Sequence, residues 1–159
     1  MAEAVFHALV EQAGLGKLIE ADSAGTGPWY EGNGADPRTV DALTAAGYRQ
    51  AHTARRFRPE WFRRLDLVVA LDSGHLRELR ALAPTPDDAA KVALLRSYDP
   101  AGPDDLDVPD PFFGDADDFA QCLTMIEAAC DGLLNTVRGA LGDSAVTTEG
   151  AAVAPEEIA

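Results

Sequence analysis

The stretch LDLVVALD, residues 65–72, decides the fold class. Its middle is an unbroken run of β-branched and apolar residues, which is the pattern of a strand buried on both faces. The polar and apolar residues of 73–82 then follow at helical spacing, and we expect Ser73 to cap that helix. A buried strand that leads directly into a helix indicates an α/β protein with a parallel sheet.

The same alternation of strands and helices extends outward in both directions. We predict strands over 18–25 and 91–98, helices over 2–13, 36–47 and 117–141, and a basic loop with a short helix over 52–65. Residues 1–141 are therefore expected to form one domain. Residues 142–159 lack any hydrophobic period and are rich in Ala, Thr and Glu, so we expect a disordered tail there.

Composition limits the classes of partner. The chain has 159 residues, 47% of them apolar, and a formal charge of −14. This charge argues against nucleic acid or an anionic membrane as partner, and no run is apolar enough to span a bilayer. Two cysteines do not make a disulfide framework, so we expect the reducing cytoplasm. No His, Cys and Asp cluster has the spacing of a metal site, and no cofactor is expected.

Ligands of parallel sheets bind at the carboxyl ends of the strands. Three segments are predicted to meet there: the loop after Ser23, the loop after Asp72, and the Pro- and Asp-rich loop 99–115. The last of these is too long to be a simple connection. This edge of the sheet is the candidate site.

Within that loop Asp110 stands in VPDPFFG, between two prolines and before two aromatic residues. A carboxyl beside apolar rings is partly desolvated, which suits a general acid, although an Asp-Pro pair also simply starts turns. Trp29 and Tyr30 lie between glycines in another loop, where aromatic residues either bind ligands or cover the edge of the core.

Three further residues have reactive side chains. His52 has two interpretations, a catalytic base or a hydrogen-bonded structural residue. Cys122 and Cys130 fall on the last predicted helix, roughly 12 Å apart along its axis, and cannot bridge each other. Buried, inert cysteines are the better interpretation.

Seven fragments in order resemble a known family: MAEAVF, DSAGTGPWYEG, ADPRT, HTAR, LDLVVALDSGHL, LLRSYDP and DVPDPFFGDADDF. Together they are similar to the low molecular weight protein-tyrosine phosphatases, over residues 1 to about 141. The resemblance implies a three-layer α/β sandwich with a parallel sheet in the order 2-1-3-4.

The family's chemistry implies roles for particular residues. A cysteine thiolate in a Cys-x5-Arg phosphate loop forms a cysteinyl-phosphate with phosphotyrosine proteins, the implied partners. Asp110 would be the general acid. Trp29, Phe112 and Phe113 would line the substrate site, the two phenylalanines standing where the family usually has tyrosines. A last set would support the phosphate loop from behind: Glu3, Ser23 and His52.

The phosphate loop itself has no counterpart in the 159 residues. The sixth residue after Cys122 is Ala128, and the sixth after Cys130 is Thr136, so neither cysteine has the required arginine. In the family the loop and the central strand 1 precede MAEAVF, so we expect this chain to lack both and to be inactive as written. A mis-called start is the favoured explanation.

Two alternatives have different requirements. A non-catalytic phosphatase-like binding protein would need an anion site. An arsenate reductase would need a cysteine pair before the Asp-Pro loop, and both cysteines come after it. The substrate protein and the oligomeric state are left open.

Overall fold

A computed structural model describes residues 1–49 and 51–149. In chain order the regular elements are α1 (Ala2–Gln12), α2 (Pro37–Ala45), β1 (Val68–Ala70), α3 (Ser73–Leu82), α4 (Pro86–Ala90), β2 (Val92–Leu94) and α5 (Ala116–Glu149). Short 3-10 helices form at Pro59–Arg63, Leu95–Tyr98 and Pro111–Phe113.

The sheet of the described residues contains β1 and β2, which pair in parallel. Val68 lies opposite Val92, and Ala70 lies opposite Leu94. The connection between the two strands contains α3 and α4, so this is the strand–helix–strand unit that parallel pairing requires. The predicted α/β class is confirmed.

The side chains of β1 alternate between two apolar clusters. Val68 and Ala70 belong to a cluster that we call the phenylalanine cluster: Phe57, Phe62, Val68, Ala70, Leu79 and Val92. Val69, on the other face, packs against a larger cluster formed by α1, α2 and α5. Successive strand residues point to opposite faces, so one strand of three residues separates two layers of the core.

Helix termini follow the expected capping chemistry with one correction. Asp36 caps α2, and its Oδ1 accepts a hydrogen bond of 2.8 Å from the Arg38 amide. The prediction that Ser73 caps α3 is wrong, because Asp72 is the cap and its Oδ1 accepts from the His75 amide at 2.7 Å. Ser73 is the first helical residue.

The predicted strand over 18–25 is absent from the described residues, except for a single bridge between Gly25 and Arg56. Side chains take the carbonyls that a strand would use. The Ala21 carbonyl lies 2.5 Å from His7 Nε2, and the Ser23 carbonyl accepts from Arg55 Nε at 3.0 Å. These two side-chain contacts satisfy two of the segment's carbonyls in place of a neighbouring strand.

Other boundaries also differ from expectation. The predicted strand over 91–98 ends at Leu94, where a 3-10 helix begins. The last helix extends to Glu149, so residues 142–149 are helical and the predicted tail is wrong for them. The rest of that tail, 150–159, lies outside the described residues. Within the part of the chain that the structure describes, no helix combines the length and hydropathy needed to cross a membrane.

Candidate functional site

The loop that carries Asp110 is anchored at the carboxyl end of β1. We call residues 104–115 the acid loop. The Val108 amide donates a 2.8 Å hydrogen bond to the Leu71 carbonyl, just beyond β1. Asp107 accepts from the Ser73 amide at 2.7 Å and from the Ser73 hydroxyl at 3.0 Å, which satisfies donors at the first turn of α3. The loop is therefore held at the edge of the sheet that was predicted to be the candidate site.

Asp110 stands at the tip of the acid loop. Its Oδ1 accepts a 3.0 Å hydrogen bond from the Phe112 amide and caps the 3-10 helix Pro111–Phe113. The side chain is exposed, so the expected desolvation of Asp110 by its neighbours is wrong. An exposed carboxylate with a fixed orientation is accessible to a ligand that approaches from solvent.

The two rings after Asp110 pack against each other and face solvent. The Phe112 and Phe113 centroids are 5.0 Å apart in an edge-on arrangement. Phe113 is 98% exposed and Phe112 is 42% exposed. Core packing does not account for the exposure of these two adjacent rings, which makes them candidates for a ligand surface.

Arg38 connects the acid loop to α2, a contact that the sequence did not suggest. Its guanidinium pairs with Asp36 at 2.8 Å and donates to the Gly114 carbonyl at 3.3 Å. It also lies 5.6 Å from the Phe112 ring centroid and 4.6 Å from that of Phe119. The pairing with Arg38 lowers the pKa of Asp36. The acid loop thus has a second anchor, at the end opposite to Asp107.

Trp29 and Tyr30 lie in what we call the aromatic loop, residues 25–33. Both ends of this loop are bonded to the backbone of residues 54–57. The Gly25 amide donates to the Arg55 carbonyl at 2.9 Å, and the Gly32 amide donates to the Ala54 carbonyl at 2.8 Å. The loop aromatics themselves are exposed, Trp29 by 80%. They are loop-surface aromatics and do not cover the core.

A glycine leaves room for the Trp29 ring. A Cβ at Gly27 would lie 1.7 Å from Trp29 Cζ3, so the indole lies directly over the Gly27 backbone. No larger residue fits beneath the ring in this position.

Glu3, Ser23 and His52 come together, and we call them the support cluster. The Ser23 hydroxyl donates to Glu3 Oε2, and His52 Nδ1 lies 3.5 Å from the same oxygen. Glu3 is in the first turn of α1, so the cluster joins that helix to two loops that are distant in sequence. The three side chains are half-buried, which accords with a hydrogen-bonded structural role for His52.

Both cysteines are buried in α5. Burial raises the pKa of the Cys122 thiol, and burial with nearby carboxylates raises that of Cys130 to about 12. A thiol with a raised pKa is a poor nucleophile, so their predicted inertness agrees with the structure. Among the residues that the structure describes, no group of three His, Cys, Asp or Glu side chains has the geometry of a metal site.

An exposed carboxylate and exposed rings at the carboxyl end of a parallel strand characterise an α/β protein with a candidate ligand site at that edge. The chain belongs to the low molecular weight protein-tyrosine phosphatase family, because the family model for low molecular weight phosphotyrosine protein phosphatase matches residues 1–141. Members of this family are enzymes, and the family resemblance drawn from the sequence is confirmed.

Individual relatives agree with this assignment. The chain is 67% identical to a low molecular weight protein-tyrosine-phosphatase of Streptomyces coelicolor, over 87% of this chain and 85% of that protein. It is 43% identical to low molecular weight protein-tyrosine phosphatase A of Mycobacterium tuberculosis, over 84% and 80% of the two chains. A crystal structure of a protein tyrosine phosphatase from Entamoeba histolytica, with Hepes in the active site, superposes with a TM-score of 0.83 at 26% identity and covers 87% and 88% of the two chains.

Proposed function

We propose that this chain supplies the general acid, the aromatic rim and the loop-supporting residues of an enzyme that dephosphorylates phosphotyrosine proteins. The observation that carries the proposal is Asp110, an exposed carboxylate oriented by the Phe112 amide and anchored at the edge of the sheet. No cofactor takes part in the proposed reaction. We also infer that the protein acts in the cytoplasm.

The proposed reaction has two steps. A cysteine thiolate attacks phosphorus, the S–P bond forms and the P–O bond to tyrosine breaks. In the same step the protonated form of the Asp110 carboxyl gives its proton to the leaving phenolate oxygen and becomes a carboxylate. Asp110 then takes a proton from water as the water oxygen attacks phosphorus. The S–P bond breaks, and inorganic phosphate and the thiolate are released.

Neither cysteine of the chain suits the nucleophile's role. Both are buried, and neither is followed six residues later by an arginine. We therefore infer that the 159 residues by themselves do not hydrolyse aryl phosphates, and that the reaction needs a strand and a Cys-x5-Arg-Ser-Pro loop joined ahead of residue 1. In the family's sheet order 2-1-3-4, β1 and β2 of this chain would be the third and fourth strands. The added strand would be the first, and it would therefore lie beside β1.

The remaining residues would then have defined tasks. Trp29, Phe112 and Phe113 would contact the flat aryl group, which favours phosphotyrosine over the shorter phosphoserine. Glu3, Ser23 and His52 would hold the phosphate loop through the start of α1.

The test compares the 159-residue chain with the version extended by that strand and loop. The extended protein should hydrolyse phosphotyrosine, and Asp110→Asn should slow it by about 10²–10⁴-fold, because general acid catalysis contributes about that factor. Asp104→Asn, an exposed carboxylate of the same acid loop, is the matched control and should change little. An extended protein that binds phosphate but turns over equally well with Asp110→Asn would refute the assignment of the acid.

A further inference from the structure

The basic residues of this acidic chain are concentrated in one place. Residues 55–64, which we call the arginine segment, contain five of the chain's 13 lysines and arginines, with Glu60 as the only acid. The whole chain has 27 acidic residues and a formal charge of −14. A local excess of positive charge against this background attracts anionic groups to one part of the surface.

Two of the five arginines hold the protein's own structure. Arg55 pairs with Asp22 at 2.5 Å, and its guanidinium lies 5.0 Å from the Trp61 ring centroid. Arg64 lies 5.3 Å from the same centroid. Their neighbours Phe57 and Phe62 are buried, so the segment is fixed to the core beneath it.

The other three arginines are available to a partner. Arg56, Arg58 and Arg63 are exposed, and none has an ion pair with a carboxylate of residues 1–49 or 51–142. Arg56 Nε donates to the Thr26 carbonyl at 3.3 Å, which leaves the charged group itself unneutralised. An exposed arginine without an ion pair costs little free energy because water solvates it. It can still bind a carboxylate well, because the guanidinium presents several hydrogen-bond donors.

The arginine segment is continuous with the aromatic loop. Gly25 and Arg56 form a bridge, and the Phe57 amide donates to the Gly25 carbonyl at 2.8 Å. Arg56 is therefore joined through the backbone to the loop that carries Trp29. Its guanidinium also donates to that loop, at the Thr26 carbonyl.

We propose that the arginine segment binds acidic residues that flank the target tyrosine of the substrate protein. This inference rests on the proposed phosphatase function, because that function defines the substrate as a phosphotyrosine protein. A short acidic peptide fits the surface better than a nucleic acid or an anionic membrane, because an extended polyanion would also approach the many carboxylates elsewhere on the chain. The segment would raise the association rate and select among phosphotyrosine sites.

The first test uses the 159-residue chain and a fluorescent peptide in which Asp and Glu flank an unphosphorylated tyrosine. Fluorescence anisotropy should show tighter binding than to the same peptide with Gln and Asn, and the difference should shrink as salt is added. The combined substitutions Arg56→Gln, Arg58→Gln and Arg63→Gln should weaken binding by about 3- to 30-fold, since exposed ion pairs are individually weak.

The matched control removes three positive charges elsewhere. It combines Lys17→Gln, Arg77→Gln and Arg138→Gln, three substitutions at exposed positions outside the arginine segment. Together these substitutions should weaken peptide binding by less than about 2-fold. An equal loss in both variants would mean that net charge alone attracts the peptide and would overturn the proposal. Tighter binding to phosphatidylserine vesicles than to the acidic peptide would overturn it as well.

The second test separates this inference from the proposed function. In the chain extended by the Cys-x5-Arg-Ser-Pro strand and loop, the three arginine substitutions should lower kcat/KM for an acidic phosphotyrosine peptide by about 3- to 30-fold and leave p-nitrophenyl phosphate unaffected. Turnover without any preference for acidic peptides refutes only the arginine segment's role. Preferential binding of acidic peptides without turnover refutes only the phosphatase proposal.

Discussion

The phenylalanine cluster beneath β1 and the acid loop at its carboxyl end contain the same side chain in opposite environments. Phe62 is fully buried at 0% exposure, whereas Phe113 is 98% exposed. Both follow a proline within a short 3-10 helix, so local structure does not distinguish them. The comparison shows that burial of an aromatic ring is decided by what packs on it from distant parts of the chain.

The largest predicted effect tests this contrast directly. Phe62→Ala should lower the free energy of unfolding by about 3–5 kcal/mol, because it removes a ring from a closed cluster and leaves a cavity. Phe113→Ala should change it by less than about 0.5 kcal/mol, since no core contact is lost. Urea denaturation of both variants measures the two free energies of unfolding. Similar decreases in the two variants would contradict the difference in burial between the two rings.

A second contrast lies within α5. A Cβ at Gly132 would fall 1.8 Å from the Tyr98 carbonyl oxygen, whereas Gly139 has nothing within 4 Å of that position. Gly132→Ala should therefore destabilise the protein by about 1–3 kcal/mol through overpacking against backbone. Gly139→Ala should stabilise it by about 0.5–1 kcal/mol, because alanine favours the helix. Thermal unfolding of the two variants should shift in opposite directions.

A hydrogen bond at the edge of the core should have a smaller effect. The Tyr48 hydroxyl donates to Glu127 Oε1 at 2.8 Å. Tyr48→Phe should cost about 0.5–1.5 kcal/mol at neutral pH.

This difference should depend on pH. Partial burial, with the bond to Glu127, raises the pKa of Tyr48 to about 12 from 10.0. The unfolded tyrosine ionises first, so the stabilisation is complete below pH 10 and is lost as the pH rises towards 12. Chemical denaturation of the unsubstituted protein and of Tyr48→Phe measures their difference in unfolding free energy between neutral pH and pH 11. This difference should become smaller as the pH rises, and a constant difference would contradict the raised pKa of Tyr48.

The smallest effect on stability concerns the aromatic loop. Gly27→Ala should displace the Trp29 ring, because the new Cβ would overlap it, yet an exposed indole can move at a cost within about 0.5 kcal/mol. The displaced Trp29 ring should become more accessible to a quencher such as acrylamide, so its fluorescence should be quenched more strongly. Trp61→Phe in both backgrounds removes the other tryptophan's signal, and unchanged quenching would show that Gly27 does not fix the ring.

The sequence predicted the fold where the signals are local. Asp36 and Pro37 identify the start of α2, and the apolar run around Val68 identifies β1. The prediction of a strand over 18–25 is wrong, because within the described residues the segment pairs with its surroundings only through the Gly25–Arg56 bridge. The side chains of His7 and Arg55 contact two of its carbonyls, and no local pattern reveals such contacts.

The candidate site shows the same limit. Asp110 is recognisable from its prolines and aromatic neighbours, and the support cluster was expected only from the family resemblance. Asp107 was missed, because it is one of several aspartates in its loop and only its bonds to Ser73 distinguish it. Arg38 was missed for a related reason: its contact with Gly114 is made only in the folded protein.

That contact also bears on the order in which the protein folds. Arg38 and Gly114 are separated by 76 residues, so their hydrogen bond closes a long loop of chain. Closing such a loop costs entropy that no neighbouring contact repays at once, and it becomes favourable only after α2 and α5 have docked. The Gly114 end of the acid loop should therefore be among the last parts to order during folding. When this end of the loop is ordered, α2 and α5 have already packed together.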